Sequence, residues 1–295
     1  DIKLVWISAR LSERSLSGYK KWLGQGLIQQ TMDAVSQVAA QSEADAQRLI
    51  SAGIHADKVC VTGNIKLDVM PDASVWSRGQ AIRQCLGQGP VWVAASTHAD
   101  EEIAALEAHQ RVRQNVPEAV LVLVPRHPQR FEEVALLCQK SGLTFCRHSE
   151  DLADMQNTPV VLVDALGVLL PYLAACDVAF VGGSLANIGG HNLLEPAMLG
   201  LPVLTGPHVH TWQGVADFLE KAGGLRYVEG VQSLSDQVTA WFTDEAARQA
   251  CGQAALQAVE QNRGSLVKTL AILEPMLCVG VSPAQSDQNL ARRIE

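Results

Sequence analysis

The stretch Val178–Pro207 leaves this chain little choice of fold. Val178–Val181 is a short apolar run of the kind buried inside a sheet, and Gly182, Gly183 and Ser184 break it. Gly189-Gly190-His191 form a second loop, and a helix is predicted from Asn192 to Leu199 with Gly200 as its stop. Leu201–Thr205 reads as the next strand, closed by Gly206-Pro207. A strand, glycine loop, helix, strand unit leaves backbone N–H groups at the strand-to-helix turn, where an anion docks. Glu195 falls in the first turn of that helix, where a carboxylate can hold the vicinal hydroxyls of a ribose. The same spacing, Asn192-x-x-Glu195, also reads as a capping box, and the two roles are compatible.

The same rhythm recurs on either side. Strands are predicted at Leu4–Ala9, Gln37–Gln41 and Val59–Thr62, with helices over Leu27–Ala34 and Glu43–Ala52. From Met70 to Pro90 the pattern loosens, and a domain junction is placed there, beginning near Leu67. Val91–Ala95, Ala119–Val124, Thr144–Arg147, Pro159–Asp164 and Leu225–Val228 read as further strands. Helices are predicted near Glu101–Asn115, Phe131–Ser141, Val231–Thr243, Glu245–Gln261 and Gly264–Met276, with another ending near Ala175. Strands alternating with helices imply a doubly wound parallel sheet of the α/β class. The unbroken run Leu4–Ile7 is what a strand buried on both faces requires.

Composition narrows the function. A formal net charge of −8 argues against nucleic acid as a partner. No run of 18 apolar residues exists to span a membrane. The 7 cysteines are scattered without Cys-x-x-Cys spacing, which fits buried thiols better than a disulfide frame or a zinc site. His208 and His210 are a single loop pair and do not make a metal site.

In doubly wound sheets, ligands sit outside the carboxyl ends of the strands. Four of the predicted strand ends carry marked chemistry: Ser96-Thr97-His98, then Pro125-Arg126-His127, then Ala165-Leu166-Gly167, then the glycine pairs with Glu195. Hydroxyls, an arginine, backbone N–H groups and a carboxylate on one rim match a phosphate plus a ribose, and so a nucleotide. Neither Gly-x-x-x-x-Gly-Lys-Ser/Thr nor Gly-x-Gly-x-x-Gly after the first strand is present, so this is not a P-loop and not a standard dinucleotide site. No Gly-x-Ser-x-Gly elbow supports a serine hydrolase.

At these residues the sequence resembles the Kdo transferase family, the 3-deoxy-D-manno-octulosonic acid transferases of Gram-negative lipid A assembly. The matching stretches are Ala9-Arg10-Leu11-Ser12, Val61-Thr62-Gly63-Asn64 with Lys66 and Asp68, and Ser96-Thr97-His98 with Glu101-Glu102. Val124-Pro125-Arg126-His127-Pro128 with Arg130-Phe131, Phe180–Leu185, Gly189–Asn192 with Leu194-Glu195, and Pro202–Leu204 with Gly206–His208 complete the set. The resemblance implies a GT-B type glycosyltransferase of two Rossmann-like halves, with CMP-Kdo as donor and lipid IVA as acceptor. It further implies inversion at the sugar carbon and no cofactor or catalytic metal. By this likeness CMP falls to Pro125 and Arg126, to Leu166, Gly167 and Val168, and to Asn192, Leu193, Leu194 and Glu195. Ser96, Thr97, His98, Gly182, Gly183, Ser184, Asn64 and Lys66 are candidates for the donor and its phosphate. Two positions depart from the family pattern: Val168 stands where a glutamate is usual, and Ser8 where an asparagine is usual.

The resemblance sets three spans: residues 1–66 as the remnant of an acceptor-binding domain, 67–281 as a complete nucleotide-sugar domain, and 282–295 as a polar tail. The catalytic base, a membrane anchor and most of the acceptor surface are expected upstream of Asp1, so this chain would be inactive alone. The parent enzyme is expected at the cytoplasmic face of the bacterial inner membrane. The alternatives are another GT-B nucleotide-sugar transferase or epimerase, or a non-catalytic nucleotide-binding module.

Overall fold

The structure is a computed structural model that describes residues 2–22, 24–150, 155, 156 and 158–277. Contacts divide the chain into two units, Asp1–Val69 together with the segment from Asn262 onward, and Met70–Gln261. The polar tail expected at 282–295 lies outside the described residues.

The first unit opens with β1 (Val5–Ala9), α1 (Glu13–Trp22), α2 (Gly24–Ala34), β2 (Gln37–Ala40), α3 (Glu43–Ser51) and β3 (Val59–Val61). The strands form a parallel three-stranded sheet in the order β1-β2-β3. Its core gathers Ala9, Leu11, Met32, Val38, Ala40, Leu49 and Ile54. Ser42 starts α3 by accepting the Asp45 N–H at 3.1 Å. The run Leu4–Ile7 is part exposed, as expected for an apolar segment without cover on both faces: Leu4, just before β1, is 50% exposed, and Ile7, on this outer strand, is 47% exposed.

The second unit runs α4 (Ala73–Leu86), β4 (Val91–Thr97), α5 (Ala99–Asn115), β5 (Val120–Pro125), α6 (Phe131–Lys140), β6 (Phe145–Arg147), β7 (Val160–Leu162) and α7 (Leu169–Ala174). It continues with β8 (Val178–Val181), α8 (Leu194–Met198), β9 (Val203–Thr205), α9 (Gln213–Ala222), β10 (Leu225–Tyr227), α10 (Val231–Thr243) and α11 (Glu245–Gln261). These strands form one parallel seven-stranded sheet, ordered β10-β9-β8-β4-β5-β7-β6. Alternate residues of each strand feed opposite faces. Trp92, Ala94, Leu121, Leu123 and Phe180 pack under α5, α6 and α10. Val91, Val93, Val120, Val122 and Ala179 pack under α4 and α7. Near-continuous Val, Leu and Ala runs are the composition a sheet covered on both faces requires.

Helices α4 and α9 have no counterpart in the sequence reading. Gly79 in the middle of α4 lowers its helix propensity, and the packing explains the glycine: a Cβ there would stand 2.6 Å from the Ala174 Cβ of α7. Trp212 precedes α9 without a capping side-chain bond, so the usual start signal is missing. The helix α12 (Ser265–Leu277) belongs with the first unit, whereas the sequence reading carried the second domain through residue 281. Asp68 shows the reason, since its carboxylate accepts the Gly264 N–H at 2.6 Å and also that of Leu266, tying α12 to the turn at Ile65–Asp68. Among the described residues no helix is long and apolar enough to cross a membrane.

Candidate functional site

In the seven-stranded sheet the chain winds one way from β4 through β5 and the other way from β8 through β9. The order therefore reverses between the paired strands β4 and β8. A crevice outside the carboxyl ends of two such strands is where open α/β sheets bind ligands.

The end of β4 is irregular. Its register against β5 shifts between Ala95 and Thr97, and Ser96 holds a positive φ of 54°. A non-glycine residue held there costs about 1 kcal/mol or more, and such strain persists only where packing fixes it. The packing is Gly182, at the end of β8. A Cβ on Gly182 would lie 2.8 Å from the Ser96 carbonyl oxygen and 2.9 Å from the Thr97 Cα. Backbone meets backbone at the reversal point, and only glycine permits it.

Two adjacent carboxylates in the first turn of α5 lock the rim. Glu101 is fully buried. Its Oε2 accepts the N–H groups of His98 at 3.1 Å and Gly183 at 2.7 Å. Its Oε1 accepts those of Ser184 at 2.8 Å and Leu185 at 2.9 Å. A buried carboxylate is tolerable when its lone pairs are filled in this way. Glu102, also fully buried, holds the Arg130 guanidinium at 2.5 Å. Burial raises its carboxyl above the usual carboxylate range, against the hydrogen bond and charge of Arg130. Glu101 thus fixes the loop after β8, and Glu102 fixes, through Arg130, the segment after β5 that carries Arg126 and His127.

A basic cluster sits on the locked rim. The His98 and His191 rings are stacked with centroids 5.1 Å apart, and their Nε2 atoms are 2.9 Å apart. His127 meets His98 edge-on at 5.3 Å. Burial pushes the His191 imidazole down to about 4, helped by His98 and by the positive charge of Arg126. Burial likewise lowers His98, partly offset by Glu101. Arg126 is exposed, and its charge acts on His98, His191 and Glu195 alike. Glu195 is raised by burial, against a hydrogen bond from the Asn192 side chain and the charge of Arg126. One arginine, two imidazoles and one carboxylate therefore share a single electrostatic site.

The remaining expectations divide. Helix α8 is shorter than its sequence suggests, and Asn192 Oδ1 accepts the N–H of Leu194 at 3.0 Å, an Asx turn in place of the expected capping box. Leu193 and Leu194 are buried and position the loop through packing. Leu166 and Gly167 project at the end of β7, and Val168 precedes α7. Behind that loop, Asp164 is tied to Arg147 at 2.7 Å and to the Ser149 N–H at 2.9 Å. Thr97 and Ser184 are fully buried, so neither hydroxyl faces solvent; Ser184 Oγ donates to the Val181 carbonyl at 2.6 Å and accepts the Gly206 N–H at 2.8 Å. The N–H groups of Gly182, Gly183 and Ser184, read from sequence as anion donors, are taken by Ala95 and Glu101. The reason is the buried Glu101, whose role the sequence reading missed. Its signals are the place of Glu101-Glu102 in the family resemblance and an acidic pair in a helix first turn, a pattern usually solvated. Asn64 and Lys66 belong to the first unit, where Asn64 Oδ1 accepts the Lys66 N–H at 3.1 Å.

Known proteins give this site a context. Residues 1–69 match the family described as 3-Deoxy-D-manno-octulosonic-acid transferase (kdotransferase). The 3-deoxy-D-manno-octulosonic acid transferase of Haemophilus influenzae is 35% identical over 279 residues, which are 94% of this chain and 65% of that protein. This chain thus spans a little under two thirds of that relative. The C-terminal CMP-Kdo binding domain of WaaA from Acinetobacter baumannii superimposes with a TM-score of 0.60 at 31% identity, over 64% of this chain and 100% of that domain. Anabaena HepE, in complex with UDP and glucose, aligns with a TM-score of 0.54 at 18% identity, over 94% of this chain and 72% of its own, and shares the fold. The α/β architecture with parallel sheets is that of GT-B glycosyltransferases. With motifs, fold and relatives agreeing, the chain belongs to the 3-deoxy-D-manno-octulosonic acid transferase family.

Proposed function

We propose that the second unit binds the CMP end of CMP-Kdo, and that the parent enzyme transfers Kdo with inversion to lipid IVA in lipopolysaccharide core biosynthesis. The parent acts, in this proposal, at the cytoplasmic face of the bacterial inner membrane. The observation that carries the donor role is the meeting of strand ends at the reversal point, where His98 after β4 and His191 after β8 lie 2.9 Å apart and Arg126 after β5 is exposed. Arg126 supplies the cation for the single phosphate of the nucleotide, and Glu195 the acceptor for the ribose hydroxyls. Pro125, fixed at the end of β5, sets the direction of Arg126, and the loop Leu166–Val168 borders the base. At Val168 the base contact is then made by backbone, because valine offers no carboxylate. Ser96 and His98 line the approach to the phosphate.

Deprotonating the acceptor hydroxyl requires a base within hydrogen-bond reach. No residue of this chain is assigned that role, so the proposal for the chain itself is donor binding. The test is calorimetry of the 295-residue chain with CMP and with UDP. Clear preference for CMP supports a Kdo donor. Equal or better binding of UDP turns the reading toward another nucleotide sugar.

A further inference from the structure

Resting on the donor reading above, we propose that His98 and His191 form an anion grip that takes up a proton as an anionic oxygen of the donor arrives. The two rings come from different strand ends, β4 and the loop after β8, and meet through their Nε2 atoms at 2.9 Å. In a neutral pair at that distance, one Nε2 carries the hydrogen and the other accepts it. The pair therefore satisfies itself and offers no second donor there. A proton taken up at the accepting Nε2, rather than at the Nδ1 of either ring, places an N–H on both facing nitrogens. Two N–H groups cannot face each other at hydrogen-bond distance, so the contact opens and both become donors for an oxygen anion.

The surroundings explain why the pair is neutral until then. From the first turn of α5 it meets Glu101, whose two oxygens are already filled by four backbone N–H groups. From the segment after β5 it meets Arg126 and His127, and Arg130 adds a third basic group acting on His98. Burial is the largest influence toward the neutral form, the Arg126 and Arg130 charges act with it, and the Glu101 carboxylate acts against it. An anion is the partner that would favour a proton on this pair. Among the described residues the Arg126 guanidinium makes no hydrogen bond of its own, so it can share that anion with the imidazoles.

A metal is the competing reading of clustered imidazoles. Two nitrogens around a shared tetrahedral zinc stand about 3.3 Å apart, given zinc–nitrogen bonds of about 2.0 Å; His98 and His191 are closer than that. Among the described residues no set of three His, Cys, Asp or Glu side chains is arranged to hold a metal ion.

The donor carries two anions, a phosphodiester and the carboxylate of its acidic sugar, and the experiment separates them. The 295-residue chain is titrated at pH 6.5 with CMP-Kdo, CMP or cytidine, in buffers of differing ionisation enthalpy. The slope of heat against buffer enthalpy gives the protons taken up. His98→Gln and His191→Gln are titrated alongside. The readout is the uptake that these variants remove, because the phosphate of CMP itself titrates near pH 6 whereas the diester and the carboxylate do not. The expected result is roughly half a proton or more per CMP-Kdo bound, lost in both variants, with affinity several-fold weaker. The same loss with CMP assigns the grip to the phosphate, and its absence with CMP assigns it to the carboxylate. Binding of CMP-Kdo without proton uptake, uptake unchanged in both variants, or equal uptake with cytidine overturns the inference and leaves the donor reading standing. Failure of both CMP-Kdo and CMP to bind overturns the donor reading, and the grip with it.

Discussion

The Glu101 carboxylate and the Gly183 peptide N–H lie 2.7 Å apart, joining the first turn of the helix after β4 to the loop after β8. Through this contact and its neighbours, the place where the sheet reverses direction becomes rigid. The glycine loop is thus not an empty anion cradle. It is a platform whose donors are already filled, and the basic side chains above it are left to face the ligand.

Glu101→Gln tests that platform. An amide has one oxygen, so whichever way it turns its NH2 faces two of the four N–H groups. Leaving buried donors unpaired costs about 1–3 kcal/mol each, and a loss of about 2–4 kcal/mol is expected. Thermal unfolding should shift down by roughly 5–15 °C. An unchanged melting temperature would show that these bonds do not hold the rim.

Glu195→Gln separates recognition from local structure. Asn192 already satisfies the Leu194 N–H, so the helix start does not depend on the Glu195 charge. CMP affinity is expected to fall several-fold while the melting temperature barely moves. A drop in stability with unchanged affinity would assign Glu195 to capping alone.

His109 gives a pH dependence of known sign. The Trp92 indole N–H donates to its Nδ1 at 3.1 Å, so its Nε2 carries the hydrogen and donates to the Pro159 carbonyl at 2.9 Å. Burial pushes this imidazole from 6.5 down to about 3. As pH falls below 6.5 the unfolded chain binds the proton first, so the stability His109 contributes is complete above that pH and is lost towards pH 3. The loss is about 1.4 kcal/mol per pH unit. Urea unfolding between pH 6.5 and 5 should show a shallower slope in His109→Gln than in the parent chain. Equal slopes would mean that His109 is protonated in the fold.

Much of this architecture is legible in the sequence because its signals are local. Val178–Val181, the glycines after it and the helix bearing Glu195 announce themselves by composition, as do Val91–Ala95 and Ala119–Val124 as apolar strands that prove buried on both faces. What stays hidden depends on partners far along the chain. Gly79 looks like a helix breaker until Ala174 packs on it. The last helix groups with the first unit through Asp68. Thr97 reads as a ligand hydroxyl, yet the irregular end of β4 leaves it fully buried. Glu101 and Glu102 look like solvated first-turn acids, and only the fold brings them Gly183 and Arg130.

The most direct test of the central claim, that the reversal-point rim receives the nucleotide phosphate, is calorimetric titration of CMP into the 295-residue chain and its Arg126→Ala variant. A charge-assisted bond contributes about 1.5–3 kcal/mol, so the variant should bind at least about tenfold more weakly while its unfolding curve stays the same. Equal affinity in the two folded proteins would contradict the account.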